Sequence, residues 1–177
     1  MKVLVPLANG FEETEAITTI DILRRAGIDT VTAALQNNPV TGSHKIPVTA
    51  DKLLDENEEF NAIVLPGGMP GSSNLRDDHR IIKIIKKISA SNGLTAALCA
   101  APIVLSKAGV LKGKKYICYP GFEDEIEGIF TDKNVVVDGN IITGKGAGHA
   151  VAFALAIVNA LKGEIAAQNV RESLTLD

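Results

Sequence analysis

Among the 177 residues, two cysteines are the side chains best suited to covalent chemistry, and their surroundings differ. Cys99 closes the apolar run Leu94 to Leu98 and is followed by Ala100, Ala101 and Pro102. Proline fits the first turn of a helix, where its missing N–H costs nothing. The segment therefore predicts a sharp strand-to-helix turn with the sulfur at its corner. The arrangement resembles a nucleophile elbow, although the glycines of the G-x-S-x-G pattern are absent; the small neighbours Ala96, Ala97, Ala100 and Ala101 admit the tight turn. A thiol at the start of a helix meets unpaired amide donors and the positive end of the helix dipole. Both favour the thiolate, which is the nucleophilic form. The plainer alternative is that Cys99 is a small buried hydrophobe. Cys118 lies inside the apolar stretch Tyr116-Ile117-Cys118-Tyr119 and reads as core.

Three further groups accompany Cys99. Glu12, Glu13 and Glu15 open a helix. Acidic residues are expected there from the dipole alone, but a carboxyl beside a reactive sulfur could donate a hydrogen bond or shuttle a proton, and burial would raise its pKa to suit. Spacing does not choose among the three. Gly67 and Gly68 follow an apolar strand. They form either an ordinary turn or a pair of exposed amides able to hold an oxyanion; no Gly-Lys-Ser/Thr follows, so this is not a Walker A loop. Of the three histidines, His79 falls in a solvated helix start, His44 in a short hairpin, and His149 after Gly144-Lys145-Gly146-Ala147-Gly148. Neither a CxxC pair nor a histidine-rich metal spacing occurs, so no metal site is expected.

The elements that must position these groups alternate. Strand-like runs at Lys2 to Leu7, Thr30 to Leu35, Asn61 to Leu65, Leu94 to Leu98 and Tyr116 to Tyr119 are apolar on both faces. Helical patterns run from Glu12 to Ala26, with Ala16, Ile17, Ile20 and Leu23 at helical spacing, and from about Asp77 to Ser91. Others run from Ala100 to Ala108, from Phe122 to Gly128 and from Ala147 to Leu161. Gly27 is placed to end the first of them. A hairpin is expected within residues 36–50, and strands Val135 to Val137 and Ile141 to Thr143 join at Asp138-Gly139. Such alternation predicts a mostly parallel sheet with helices on both faces, and ligands bind such sheets outside the carboxyl ends of the strands. The loops there are Ala8 to Glu12, Gly67 to Ser73, Cys99 to Pro102 and Gly144 to His149.

Composition narrows the function. The net charge is −3, with no basic stripe, so no nucleic-acid footprint is expected. The chain has no Trp, and the core must be aliphatic. The longest apolar run, Ala150 to Val158, is too short to span a membrane. The N-terminus enters a strand directly and lacks a signal-peptide cleavage pattern. With two cysteines and no disulfide framework, a cytoplasmic location fits. No repeat or linker divides the chain, so one domain over 1–177 is expected.

Gly10-Phe11-Glu12-Glu13-Thr14-Glu15-Ala16, Val64-Leu65-Pro66-Gly67-Gly68, Ala97-Leu98-Cys99-Ala100-Ala101-Pro102, Gly146-Ala147-Gly148 and Phe153-Ala154-Leu155-Ala156-Ile157-Val158 together resemble the ThiJ/PfpI superfamily, in the DJ-one/YajL branch. The resemblance covers nearly the whole chain. It implies a flavodoxin-like three-layer α/β sandwich and a homodimer. It implies Cys99 as nucleophile, Glu15 as its paired carboxyl, and Gly68 and Ala100 as amide donors. It also implies a cofactor-free glyoxalase or deglycase acting on methylglyoxal or glycated adducts, or else an oxidative-stress sensor or redox-regulated chaperone working through oxidation of Cys99. One departure stands out. Where some members carry a histidine before a proline, this chain has Tyr119 before Pro120. A Cys-His relay from that position is absent, which argues against protease activity and leaves His149 or His44 to enter the pocket.

Overall fold

In a computed structural model, described over residues 1–176, the apolar runs form a seven-stranded sheet. Its strands are β1 (Lys2–Leu7), β2 (Asp29–Ala34), β5 (Lys52–Leu53), β6 (Ala62–Leu65), β7 (Leu94–Leu98), β10 (Val135–Asp138) and β11 (Ile141–Gly144). They lie in the order β10-β11-β7-β6-β1-β2-β5, and only β10 and β11 pair antiparallel. Strands β3 (Val40–Thr41) and β4 (Pro47–Val48) make the expected hairpin. Strands β8 (Lys115–Tyr116) and β9 (Ile129–Phe130) make a second, separate ladder.

Successive strand residues point to opposite faces, which explains why both faces are apolar. Val3, Val5 and Leu7 join the core beneath α1 (Glu13–Arg25), α5 (Ala150–Lys162) and α6 (Glu164–Ser173). Leu4, Ile63 and Leu65 join the core beneath α2 (Gly71–Asp77), α3 (His79–Ala90) and α4 (Pro102–Lys107). The result is the flavodoxin-like three-layer sandwich. In α3, Ile81, Ile84, Ile85 and Ile88 are all buried, and each contributes about 1.5–3 kcal/mol of apolar burial. An Ile85→Asp change would set an unpaired charge in that layer and unfold it.

Several boundaries differ from the sequence reading. The helix expected from Asp77 begins earlier as α2 and is broken at Asp78, which adopts an extended backbone and caps α3 by accepting from the Arg80 N–H. Ile17 faces outward, so the buried stripe of α1 runs through Ala16, Thr19, Ile20 and Leu23. Of the strand expected over 116–119 only Tyr116 pairs, in β8 with Lys115, because Ile117 turns its N–H to the Thr143 hydroxyl. The acidic helix shrinks to a 3-10 turn, Glu123–Glu125, and another 3-10 turn, Ala147–His149, precedes α5. Gly27 does end α1, at φ +65°, with its N–H on the Arg24 carbonyl.

Strand order reverses at β1. The chain winds outward from it through β2 to β5, then returns to β6 and continues through β7 to β11. The loops following β1, β6 and β7 therefore meet at one place on the carboxyl edge.

Candidate active site

Cys99 directly follows β7 at φ +63°. A non-glycine residue there costs roughly 1–2 kcal/mol, and it persists only where its surroundings over-determine it. Here they do. The Cys99 N–H donates to the Gly144 carbonyl at 2.9 Å, its carbonyl accepts from the Tyr119 N–H at 2.8 Å, and the Ala101 N–H donates to the Leu98 carbonyl at 3.0 Å. Three segments thus pin the elbow, and Pro102 opens α4 as the sequence suggests. Cys99 is partly exposed, whereas Cys118 is buried.

The carboxyl is positioned from the next strand but one. Glu12 caps α1, its Oε2 accepting from the Glu15 N–H at 2.6 Å. This turns Glu15 inward, where it is fully buried. Its Oε2 accepts from the Gly67 N–H at 2.8 Å, while Oε1 completes no hydrogen bond of good geometry. A Cβ added at Gly67 would stand 2.6 Å from the Cys99 Cβ and 2.7 Å from Glu15 Oε2. Glycine is needed there because the cysteine and the carboxyl converge on the same point. Gly68 holds φ +88°, with the Gly10–Glu12 backbone filling the place a Cβ would take.

Both acids of the pair are pushed up. Burial raises Glu15 to about 7, opposed by the Gly67 N–H and by the Cys99 thiol, with the charge of Glu12 adding to the rise. Burial, then the charge and hydrogen bonding of Glu15, push the Cys99 thiol to about 12, opposed by the Gly68 and Ala100 N–H groups. Two negative charges cannot share so dry a site, so the Glu15 carboxyl ionises first and the sulfur keeps its proton through neutral pH. This corrects the expectation of a thiolate made by the helix start alone. A thiolate forms here only by passing its proton to the Glu15 carboxylate; the Gly68 and Ala100 N–H groups face the sulfur.

The remaining expected residues divide. Gly68 and Ala100 direct their N–H groups to the sulfur; Gly67, expected as an oxyanion donor, spends its N–H on Glu15 instead. Tyr119 adjoins Cys99 through its backbone and is exposed. His149 is half-buried on the loop after β11, and among the described residues its ring makes no hydrogen bond or ion pair with Cys99 or Glu15. His79 sits exposed at the start of α3, as expected. His44 joins the hairpin tip to Glu13, whose Oε1 accepts from the His44 N–H at 2.7 Å and whose Oε2 meets Nδ1 at 2.9 Å. Glu12, Glu13 and His44 offer donor atoms within 4.8 Å of one another, but both Glu13 oxygens are already engaged. Cys118 has its thiol pushed to about 12 by burial and by Glu123, against the Phe122 N–H, and packs in the core. Two features escaped the sequence: Glu12 as the cap that aims Glu15, and the Glu13–His44 clasp. The first had a local signal, an acidic residue three before another at a helix start.

Comparison with known proteins follows this geometry. The model of the DJ-1/PfpI family matches residues 1–160. Protein dj-1beta of Drosophila melanogaster is 38% identical over 177 residues, covering 97% of this chain and 95% of its own. Its crystal structure superposes with a TM-score of 0.95 at 37% identity over the full length of both chains. DJ-1 homolog B of Arabidopsis thaliana is 41% identical over 92% of this chain, which spans only 38% of that longer protein. A deglycase of Pyrococcus abyssi is 33% identical over 92% of this chain and 100% of its own. Among the described residues, no helix is long and apolar enough to cross a membrane.

Proposed function

This chain belongs to the DJ-1/PfpI family, and from that premise we propose that it is a cysteine-dependent, cofactor-free enzyme converting small dicarbonyls such as methylglyoxal, or the adducts they form on amines, to hydroxy acids. The observation that carries the reading is the convergence of Cys99 and the buried, half-satisfied Glu15 carboxyl on Gly67. The deglycase of Pyrococcus abyssi supports the adduct form of the same chemistry.

As substrate enters, the Cys99 thiol passes its proton to the Glu15 carboxylate, which leaves sulfur as the nucleophile. Sγ adds to the aldehyde carbon, and the carbonyl electron pair moves to oxygen, held by the Gly68 and Ala100 amides and then protonated by Glu15. This gives a hemithioacetal. The Glu15 carboxylate removes the C1 proton and returns it to C2, while the hydroxyl proton passes to the neighbouring oxygen. C1 is oxidised to a thioester and C2 reduced to an alcohol, with no outside redox partner. Water then attacks the thioester, the S–C bond breaks, and lactate leaves with the thiol restored. A carboxyl near pKa 7 suits both directions of transfer at neutral pH. The decisive measurement is lactate formed from methylglyoxal by wild type, Cys99→Ser and Glu15→Ala. Loss in both variants is expected, and equal rates in all three would overturn the reading.

A second reading, an oxidative-stress sensor or redox-regulated chaperone, is favoured by the partial exposure of Cys99 beside a buried Cys118. Peroxide would oxidise the sulfur stepwise to sulfinic acid, each step reducing one peroxide to water. Intact mass should place two oxygens on Cys99; oxygen on Cys118 with none on Cys99 would remove this reading. Two free thiols fit a reducing, cytoplasmic setting, and the homodimer implied by the resemblance belongs to the same proposal.

A further inference from the structure

Large apolar side chains scattered singly on a surface need no explanation, but two of those exposed here adjoin the groups that touch Cys99. Met69, 45% exposed, directly follows Gly68, whose N–H faces the sulfur. Tyr119, 52% exposed, donates its own N–H to the Cys99 carbonyl. They come from different loops, after β6 and after β8. The Met69 sulfur accepts from the Ser73 hydroxyl at 3.7 Å, and the Tyr119 ring lies where a Cβ on Gly146 would meet its Cδ2 at 3.4 Å. The ring thus lies beside the loop after β11. Below them lie Cys99, the Glu15 carboxyl and the Gly68 and Ala100 amides.

We infer that Met69 and Tyr119 form an apolar wall at the mouth of the cysteine site and are specificity-determining residues, selecting dicarbonyl substrates that carry an aromatic or branched apolar group beside the reacting carbons. This rests on the enzymatic reading above. A bare methyl group reaches the sulfur without using the wall, whereas a phenyl group extends over the ring and the thioether. An aromatic face offers large, rigid contact area, and a thioether adapts to it.

The test compares phenylglyoxal, followed as mandelate, with methylglyoxal, followed as lactate, in the full-length protein. Tyr119→Ala should lower the phenylglyoxal-to-methylglyoxal ratio of kcat/KM about tenfold, through KM rather than kcat. Met69→Ala should lower it about threefold, and Tyr119→Phe should retain it, because the wall uses the ring and not the hydroxyl. An unchanged ratio in both alanine variants, or Tyr119→Phe as damaging as Tyr119→Ala, would overturn the inference. Should wild type turn over neither dicarbonyl, the enzymatic reading fails by itself. The wall is then judged by NMR titration of mandelate against lactate, read on the Met69 methyl and Tyr119 ring. Preference for mandelate that Tyr119→Ala abolishes sustains the wall; equal binding removes it.

Discussion

Glu13 and Glu15 stand two residues apart in the first turn of one helix, are 6% and 0% exposed, and titrate in opposite directions. Burial acts on both. For Glu13 it is overcome by the His44 ring and by N–H groups, including those of His44 and Ile46, which hold the carboxyl at about 2. For Glu15 burial wins, and the carboxyl rises to about 7 because one amide is too little to compensate and the nearest other group is itself an acid. The difference teaches that depth alone does not fix the charge of a buried carboxylate; the number of donors that reach it does. Glu13 is an anion that ties the hairpin tip to α1. Glu15 is left unsatisfied, and an unsatisfied carboxyl near neutrality can exchange protons with a substrate.

Replacing the underserved acid should break the comparison most strongly. In Glu15→Gln, the amide keeps an acceptor for the Gly67 N–H but cannot carry a proton, so lactate formation should fall at least a hundredfold. Stability should move the other way. A carboxyl with a folded value above its unfolded one costs stability as pH rises from about 4.5 to about 7. The glutamine variant should therefore match wild type below pH 4 and gain on the order of 2–3 kcal/mol above pH 7, read by denaturant melts across that range. A gain at all pH values would mean that packing, not charge, is responsible.

The well-served acid gives the mirror image. Glu13→Gln should cost on the order of 2 kcal/mol at pH 7. Because Glu13 is depressed from 4.5 to about 2, its contribution is present above 4.5 and is lost as pH falls through that window. The gap between variant and wild type should close there in acid-unfolding curves. A gap that persists at pH 2 would contradict the assignment.

The smallest effect sharpens the clasp itself. His44 is held above its usual value, first by its hydrogen bond to Glu13 and then by that charge. Its charged form supports the clasp below pH 6.5 and fades as pH rises through the raised value. In Glu13→Gln, the NMR titration midpoint of the His44 ring should drop toward that of a free histidine; an unmoved midpoint would show that Glu13 does not set it.

Much of the frame was legible from local pattern. Lys2–Leu7 and Leu94–Leu98 fall where their doubly apolar runs put them, since strands sandwiched by helices have no polar face to hide. The hairpin at 40–48 and the stop at Gly27 follow from turn chemistry. Less legible were α2, whose Gly71-Ser72-Ser73 opening looks like loop, and the split of residues 116–119, where the Thr143 hydroxyl on β11 takes the Ile117 N–H that a strand would have used. That contact joins residues 26 apart, beyond any local sequence window.

The sequence by itself determined that a cysteine sits between a buried strand and a helix, that acids and glycines lie in loops on the same edge, and that no histidine stands ahead of Pro120. Only the tertiary structure decided which acid meets the sulfur and what charge the pair bears. Local patterning can place Glu12, Glu13 and Glu15 at the start of one helix and make Glu12 its cap, but the other two roles depend on what arrives from elsewhere: the hairpin for Glu13, and Gly67 and Cys99 for Glu15. Dielectric and donor count are properties of a neighbourhood, and this neighbourhood is assembled from segments more than fifty residues apart.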